Sequence, residues 1–183
     1  MATNNAVNTS LSGQSGTGSF AGTTSPTFVT PTLGAALATS INFGGSSLAN
    51  YVSGGTWTPT FTFLTPGDLS VSYSTRVGTY TRIGSVLIIN CNLVFTPTFT
   101  TSSGILFITG VPNNIAADSY GTCIIPSITY PVGTAYLVSQ ATIGNAYINI
   151  LANGSATSSV NLSTSNFVSG VQRTIIISMA ILI

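Results

Sequence analysis

Charge is what this sequence most lacks. Its 183 residues include three arginines and two aspartates but no lysine, glutamate or histidine, so charged residues make up only 3% of the chain. Ordinary soluble domains carry roughly a quarter. The net charge of +1 comes without any cluster of basic residues. We therefore expect no nucleic-acid partner, because nucleic-acid binding needs clustered lysine and arginine.

Long apolar runs are also missing. A bilayer-spanning segment needs roughly 18 apolar residues, and the nearest approach is "TIIISMAILI", Thr174 to Ile183. That run is typical of a buried terminal strand. The start of the chain has neither the basic nor the apolar region of a secretory signal. We expect no membrane insertion.

The shortage of ionisable side chains limits the chemistry available. A glycosidase needs two carboxyl groups, and only Asp68 in "TPGDLS" and Asp118 in "AADSYG" qualify. Both occupy turn-like settings, where aspartate caps backbone groups. Serine or cysteine nucleophiles lack the usual bases, and zinc or calcium would lack ligands. The sequence predicts no enzyme, no metal and no cofactor.

Two cysteines, Cys91 and Cys123, lie in strand-like apolar runs. A disulfide between them stays open as an alternative. We interpret them as two buried thiols.

A period of two runs through the chain from Trp57 onward. In "TWTPTFTF", Trp57, Pro59, Phe61 and Phe63 share one face, and threonines occupy the other, as in a half-buried strand. No window shows a helical stripe, and turn signals separate the apolar stretches. This predicts an all-β antiparallel sandwich, with strands at 57–63, 71–77, 79–83, 85–96, 104–111, 120–130, 135–143, 146–151, 157–163 and 172–183.

The first 50 residues have a different composition. They are rich in glycine, serine, threonine and asparagine, and their Pro26 and Pro31 favour extended backbone. Such a segment buries too little apolar surface to order by itself. We predict an extended N-terminal arm at 1–50 and a β-sandwich head at 51–183.

The predicted strand at 85–96 has two uncharged faces. Leu87, Ile89, Cys91, Leu93 and Phe95 alternate toward the core. The opposite face combines apolar residues and amides, where water-facing charges would be expected. A loop of the same chain could cover it, but low charge across the whole domain favours a subunit interface. The predicted interface residues are Val86, Ile88, Asn90, Asn92 and Val94.

Three phrases carry a family resemblance: "SPTFVTPTLG", "INFGGSSLANYVSGGTWTP" and "VSYSTRVGTYTRIG". They resemble the C-terminal regions of bacteriophage tail fibre proteins, in which a glycine-rich linker leads through "G-x-W-T-P" into a β-sandwich. A "Y-S-x-x-x-G-x-Y-x-R-I-G" hairpin follows. The matching positions here are Gly55, Trp57, Thr58, Pro59, Tyr73, Ser74, Gly78, Tyr80, Arg82, Ile83 and Gly84.

The resemblance implies a homotrimeric virion appendage with a jelly-roll-like head that contacts the host surface. Such a protein is made in the host cytoplasm and assembled into the virion. The chain is short for a fibre, so it resembles a small fibre or tip subunit that other virion proteins hold through its N-terminal arm. A capsid fibre fits equally well.

The arginines suggest either recognition or structure. Arg76 and Arg82 flank an expected turn at Gly78, which would put them on adjacent strands. They could recognise a phosphate or an acidic sugar. Alternatively, they tie a hairpin or a subunit seam together, and stacking of Arg82 on Tyr80 or a carbonyl contact fits that structural role. Arg173 has no interpretable sequence context.

Tyrosine and asparagine near turns suit carbohydrate binding, because rings stack on sugars and amides bond to hydroxyl groups. Loops 112–121, 129–136 and 152–158 are therefore the candidate receptor site. The predicted receptor-binding residues are Tyr120, Tyr130, Tyr136 and Asn153.

The leading functional hypothesis is a non-enzymatic phage tail fibre or tip subunit that binds a host surface glycan or protein. One alternative is a capsid or tail decoration or adaptor protein with purely structural interfaces. The other is a polysaccharide depolymerase that uses Asp68 or Asp118.

Overall fold

The computed structural model describes residues 41–43, 46–48, 52–155 and 158–183. Across these residues all strand pairs are antiparallel, which confirms the prediction of an all-β antiparallel protein. The regular elements are β1 Ile41–Phe43, β2 Ser46–Leu48, β3 Val52–Trp57, β4 Thr60–Thr65, β5 Ser70–Ile83, β6 Val86–Thr98, β7 Ser103–Thr109, β8 Ser119–Ile124, β9 Tyr136–Ala141, β10 Tyr147–Asn153, β11 Val160–Asn161, a 3₁₀ helix Thr164–Asn166 and β12 Arg173–Leu182.

The predicted arm at 1–50 lies outside the described residues apart from one short hairpin. In that hairpin β1 pairs antiparallel with β2, with Ile41 opposite Leu48.

The remaining ten strands form one continuous sheet in the order β3-β5-β6-β12-β8-β9-β10-β7-β4, with β11 paired to β10. Its two edge strands, β3 and β4, are joined by only Thr58 and Pro59. The edges must therefore approach each other, and the sheet curls into a half-barrel rather than clearly dividing into a two-sheet sandwich.

Side chains of β5 bridge the gap between the two edges. The Tyr73 hydroxyl accepts a hydrogen bond from the Phe61 backbone N–H at 2.9 Å. Arg76 donates through Nε to the Pro59 carbonyl at 2.8 Å and bonds to the Thr60 hydroxyl. Backbone pairing between β3 and β4 is thus replaced by side-chain contacts from β5.

The core fills the inside of the curl and is built by strand alternation. Phe61 and Phe63 meet edge to face with centroids 5.0 Å apart, and Phe61 packs on Phe95 at 4.4 Å. Phe167, from the segment after the 3₁₀ helix, closes the cluster. The predicted inward face of β6, from Leu87 to Phe95, is buried throughout, as the period-two pattern predicted.

The two ends of the sheet differ in what they carry. At the Gly84 end lie the β5–β6 turn at 84–85, the segment 110–118 and the turn 142–146. At the opposite end, here called the Pro131 end, lie the connections 66–69, 99–102, 125–135 and 162–172. β12, with 10 residues, spans about 30 Å between the two ends.

Several predicted strand boundaries were wrong for identifiable reasons. β5 runs unbroken from Ser70 to Ile83, so Gly78 lies within a strand and not in a turn. Pro59 interrupts the predicted strand 57–63, because proline cannot donate to a ladder. The predicted strand 120–130 ends at Ile124, two residues before Pro126. In the predicted strand 157–163, the described residues 158–163 include only the short strand Val160–Asn161.

Candidate functional site

The outward face of β6 is open in the described part of the chain. Ile88 is 40% exposed, Asn90 and Asn92 are exposed, and Val86 and Val94 are half-buried. No described segment lies over this face as the covering loop would. The predicted interface residues are therefore available to another molecule, and the interface itself stays a prediction.

This face extends across four strands in rows set by the pairing register. Asn92 lies between Val77 on β5 and Ile176 on β12, and Ile176 pairs with Ile124 on β8. The adjacent row is polar and contains Thr79, Asn90, Ser178 and Thr122. Between these rows Val77, Asn90 and Ile176 border a shallow depression of about 200 Å³. We call these two rows, together with Ile88, the outer face.

All three arginines lie away from the outer face. In the register they are opposite inward-facing residues of β6: Arg173 opposite Phe95, Arg76 opposite Leu93 and Arg82 opposite Leu87. The outer face consequently carries no charged side chain. The sequence alternation alone does not show which side of the sheet each arginine faces, because the register of β5 against β6 shifts at a bulge between Tyr73 and Thr75. The pairing register is needed to place the arginines.

Each arginine binds backbone carbonyls of the same chain. Arg82 donates to the Gly84 carbonyl at 2.8 Å and so ties the β5–β6 hairpin. Arg76 stacks over the Tyr73 ring, 4.5 Å from its centroid. The expectation that Arg76 and Arg82 lie on adjacent strands was wrong, because both belong to β5. The contacts favour the structural interpretation.

The two aspartates occupy opposite ends of the sheet. Asp68 accepts hydrogen bonds from the backbone N–H and the hydroxyl of both Thr100 and Thr101 at the Pro131 end. Those bonds, led by the Thr100 hydroxyl, hold the pKa of the Asp68 carboxyl well below its usual range. Asp118 accepts from the Ile143 N–H at 2.8 Å at the Gly84 end. Within one chain the two carboxylates cannot flank a common glycosidic bond, which needs a separation below about 10 Å.

Cys91 and Cys123 are both buried and free. Each pairs with Ile177, Cys91 from β6 and Cys123 from β8, so the whole of β12 lies between them. Two inter-strand spacings separate their Cα atoms by about 10 Å, more than a disulfide spans. The interpretation as two buried thiols is confirmed, and burial raises the pKa of both to about 12.

The structure brings together some of the predicted receptor residues. Tyr136 begins β9 and pairs in register with Asn153 at the end of β10. Tyr130 lies in the preceding loop, so these three residues share the Pro131 end. Tyr120 is separate: it pairs with Gln140, about 13 Å along β9 from Tyr136, and its hydroxyl accepts from Gln140 Nε2 at 3.1 Å.

Hydrogen bonds that no sequence pattern predicts hold the loop 125–135 in place. Arg173 donates to the Ser127 carbonyl at 2.8 Å, and Asn166 donates to the Thr129 carbonyl at 3.1 Å. The Ala135 N–H donates to the Asn153 carbonyl at 2.7 Å. A turn from Pro131 to Thr134 closes the tip. The loop is therefore anchored along its length, although its sequence "IPSITYPVGTA" has no regular period.

The described residues contain no group of three or more metal-ligating side chains, and none of their helices has the length and apolar character to span a membrane. The chain matches no protein-family model, no curated protein and no solved structure. Its function must therefore be argued from its own residues.

Proposed function

We propose that this protein is a non-enzymatic viral structural protein, a phage tail fibre or tip subunit that attaches the virion to a host cell surface. In this proposal the curled sheet forms a jelly-roll-like head, three heads assemble through their outer faces, and the N-terminal arm binds other virion proteins.

The observation that carries the proposal is the outer face. Ile88, Val77 and Ile176 are exposed beside Asn90 and Asn92, without one charged side chain among them. Subunit interfaces are depleted of charge at their centre, and exposed apolar patches mark association surfaces. A face of this composition supports a chain that works in an assembly.

The carboxylates support a non-enzymatic role. Asp68 is saturated by hydrogen bonds from two threonines, and Asp118 caps a turn at the other end of the sheet. Neither carboxyl group is placed to act as a general acid beside a second group that could act as the general base. The depolymerase alternative would need a carboxylate pair contributed by two subunits.

Attachment is tested by incubating the labelled full-length chain with a panel of bacterial strains in low and near-molar sodium chloride. We expect binding to at least one strain that persists in high salt, because few charges are available for screening. Loss of binding at high salt would contradict a neutral receptor. A chain that binds no cell but coats purified virions would instead be a decoration protein.

The depolymerase alternative is tested with the Asp68→Asn and Asp118→Asn variants. The proposal predicts that neither substitution changes any clearing of surface polysaccharide. A clearing activity that disappears with either one would make the protein an enzyme.

A further inference from the structure

The polypeptide that precedes the sheet enters it at the Gly84 end. β3 begins at Val52, opposite Arg82 near the end of β5. The other terminus of the sheet is at the same end, where the Ile183 N–H donates to the Ser85 carbonyl at 2.9 Å. Both ends of the chain within the sheet therefore lie at the Gly84 end, and the Pro131 end is the one farther from them.

We infer that the Pro131 end is the tip that faces the host, and that the loop 125–135, with Tyr136 and Asn153, binds a neutral saccharide there. This inference rests on the proposed function, because it takes residues 1–50 as the anchor. It specifies which end of the head binds the host receptor and to which chemical class that receptor belongs.

The loop and the first residue of β9 expose three large side chains. Val132 is 99% exposed at the tip of the turn, and Tyr130 and Tyr136 are 41% and 55% exposed on either side of it. Tyrosine combines an apolar ring with a hydroxyl group. That combination suits a sugar, whose ring has apolar faces and a polar rim.

The loop is organised before any ligand arrives. Contacts from Arg173, Asn166 and Asn153 hold its backbone at three points. Ser127, whose carbonyl accepts from Arg173, has a φ of 60°, a left-handed conformation that is uncommon for residues other than glycine. A binding surface that is already ordered loses less entropy when it binds.

A hydrogen-bonding group lies beside the rings. Asn153, which is half-buried, is the cross-strand neighbour of Tyr136, and its side-chain Oδ1 is buried without a hydrogen-bond partner. Its amide torsion is soft, so the group can turn toward a bound hydroxyl. An amide that can both donate and accept matches a sugar hydroxyl, which also does both.

The charges at this end favour a neutral ligand. The carboxylate of Asp68 is occupied by Thr100 and Thr101. The Arg173 guanidinium donates to a loop carbonyl, and its Nε is buried. The side chains of the loop and Tyr136 are uncharged, and the half-buried Arg173 beside them is engaged by the Ser127 carbonyl.

The experiment blocks one end of the head at a time. Val132→Cys and Ile143→Cys place single thiols at exposed positions, 99% exposed at the Pro131 end and 59% exposed at the Gly84 end. The native Cys91 and Cys123 are buried, so a bulky polyethylene-glycol maleimide reacts selectively. Each full-length conjugate is then applied to immobilised bacterial polysaccharides, both neutral and acidic.

We expect the Val132→Cys conjugate to lose at least about tenfold in affinity for a neutral polysaccharide, while the Ile143→Cys conjugate stays within about twofold of the native chain. Both unlabelled variants should bind normally. Tyr130→Ala and Tyr136→Ala should each weaken binding about tenfold or more. Ile143→Ala, at 59% exposure on the Gly84 end, is the control and should not.

Loss of binding only in the Ile143→Cys conjugate would overturn the assignment of the tip. Binding restricted to acidic polysaccharides would overturn the neutral class. If the chain binds cells but no polysaccharide, and protease treatment of the cells abolishes that binding, the receptor is a protein and this inference fails while the proposed function stands. A chain that binds neither cells nor polysaccharides overturns both.

Discussion

The indole ring of Trp57 occupies the space into which a side chain at Gly78 would project. An ideal Cβ at residue 78 would lie 2.6 Å from the indole Nε1. The two residues are partners in the β3–β5 ladder, and the same Nε1 donates to the Asn90 carbonyl at 3.2 Å. Glycine at 78 therefore allows the indole to lie flat over β5 and to bond to β6.

Gly78→Ala should destabilise the fold by about 1–3 kcal/mol, since an added methyl forces the indole or the backbone to shift. Chemical unfolding followed by the fluorescence of Trp57, the single tryptophan, measures the change. Thr58→Ala, at an exposed position beside Trp57, is the control and should stay within about 0.5 kcal/mol. An unchanged midpoint for Gly78→Ala would show that the contact is not restrictive.

Tyr73→Phe tests the contacts that join the two sheet edges. Removal of the hydroxyl leaves the Phe61 N–H without its acceptor, at a cost of about 1–2 kcal/mol. Tyr120→Phe also removes a hydroxyl, but its hydrogen bond to the Gln140 side chain is exposed to solvent, so stability should change little. Equal losses of stability in the two variants would show that the Tyr73 hydrogen bond is not needed to hold the two sheet edges together.

Some of this arrangement could be predicted from the sequence and some could not. The inward face of β6 was predictable, because strict alternation from Leu87 to Phe95 leaves only one face for the core. The contact between the two sheet edges was not predictable, because Tyr73 and Phe61 meet only once the whole sheet has curled. The prediction of a turn at Gly78 was wrong. A glycine viewed alone suggests a turn, and the reason for a glycine inside β5 is seen only when Trp57 packs over it.

The candidate receptor site could also be predicted only in part. The sequence predicts Tyr136 and Asn153 separately, as residues near turns, and the β9–β10 register makes them neighbours. The same reasoning predicts Tyr120, yet Tyr120 belongs to a different part of the surface. Local composition identifies residues suited to binding, but the register decides which of them act together.

The thiols should be unreactive in the folded protein. Burial raises the pKa of Cys91 and Cys123 to about 12, so almost no thiolate is present at pH 8, and the thiolate is the reactive form. A colorimetric thiol reagent should detect no thiol in the native chain and both after unfolding in guanidinium. Val132→Cys provides the control, with one rapidly reacting thiol. Rapid modification of the native chain would contradict the burial.

Asp68 should make stability fall in acid. Its folded-state pKa lies below the ordinary value of 3.8, so its contribution is present above that pH and is lost as the pH falls toward the folded-state value. Denaturant midpoints between pH 7 and pH 2 measure the loss. Asp68→Asn should lower stability at pH 7 and reduce the decline. Asp118→Asn removes the other aspartate and should preserve the decline, because Asp68 remains.

The solution mass of the full-length chain, measured by light scattering, tests the central claim that the outer face is a subunit interface. We predict three times the chain mass of 18.7 kDa. Ile88→Arg should reduce it to a monomer, because an unpaired charge would be buried at the interface. Ile143→Arg, which changes a 59% exposed isoleucine outside that face, should remain trimeric. A native chain that is monomeric, or an Ile88→Arg variant that keeps the native mass, would contradict the account.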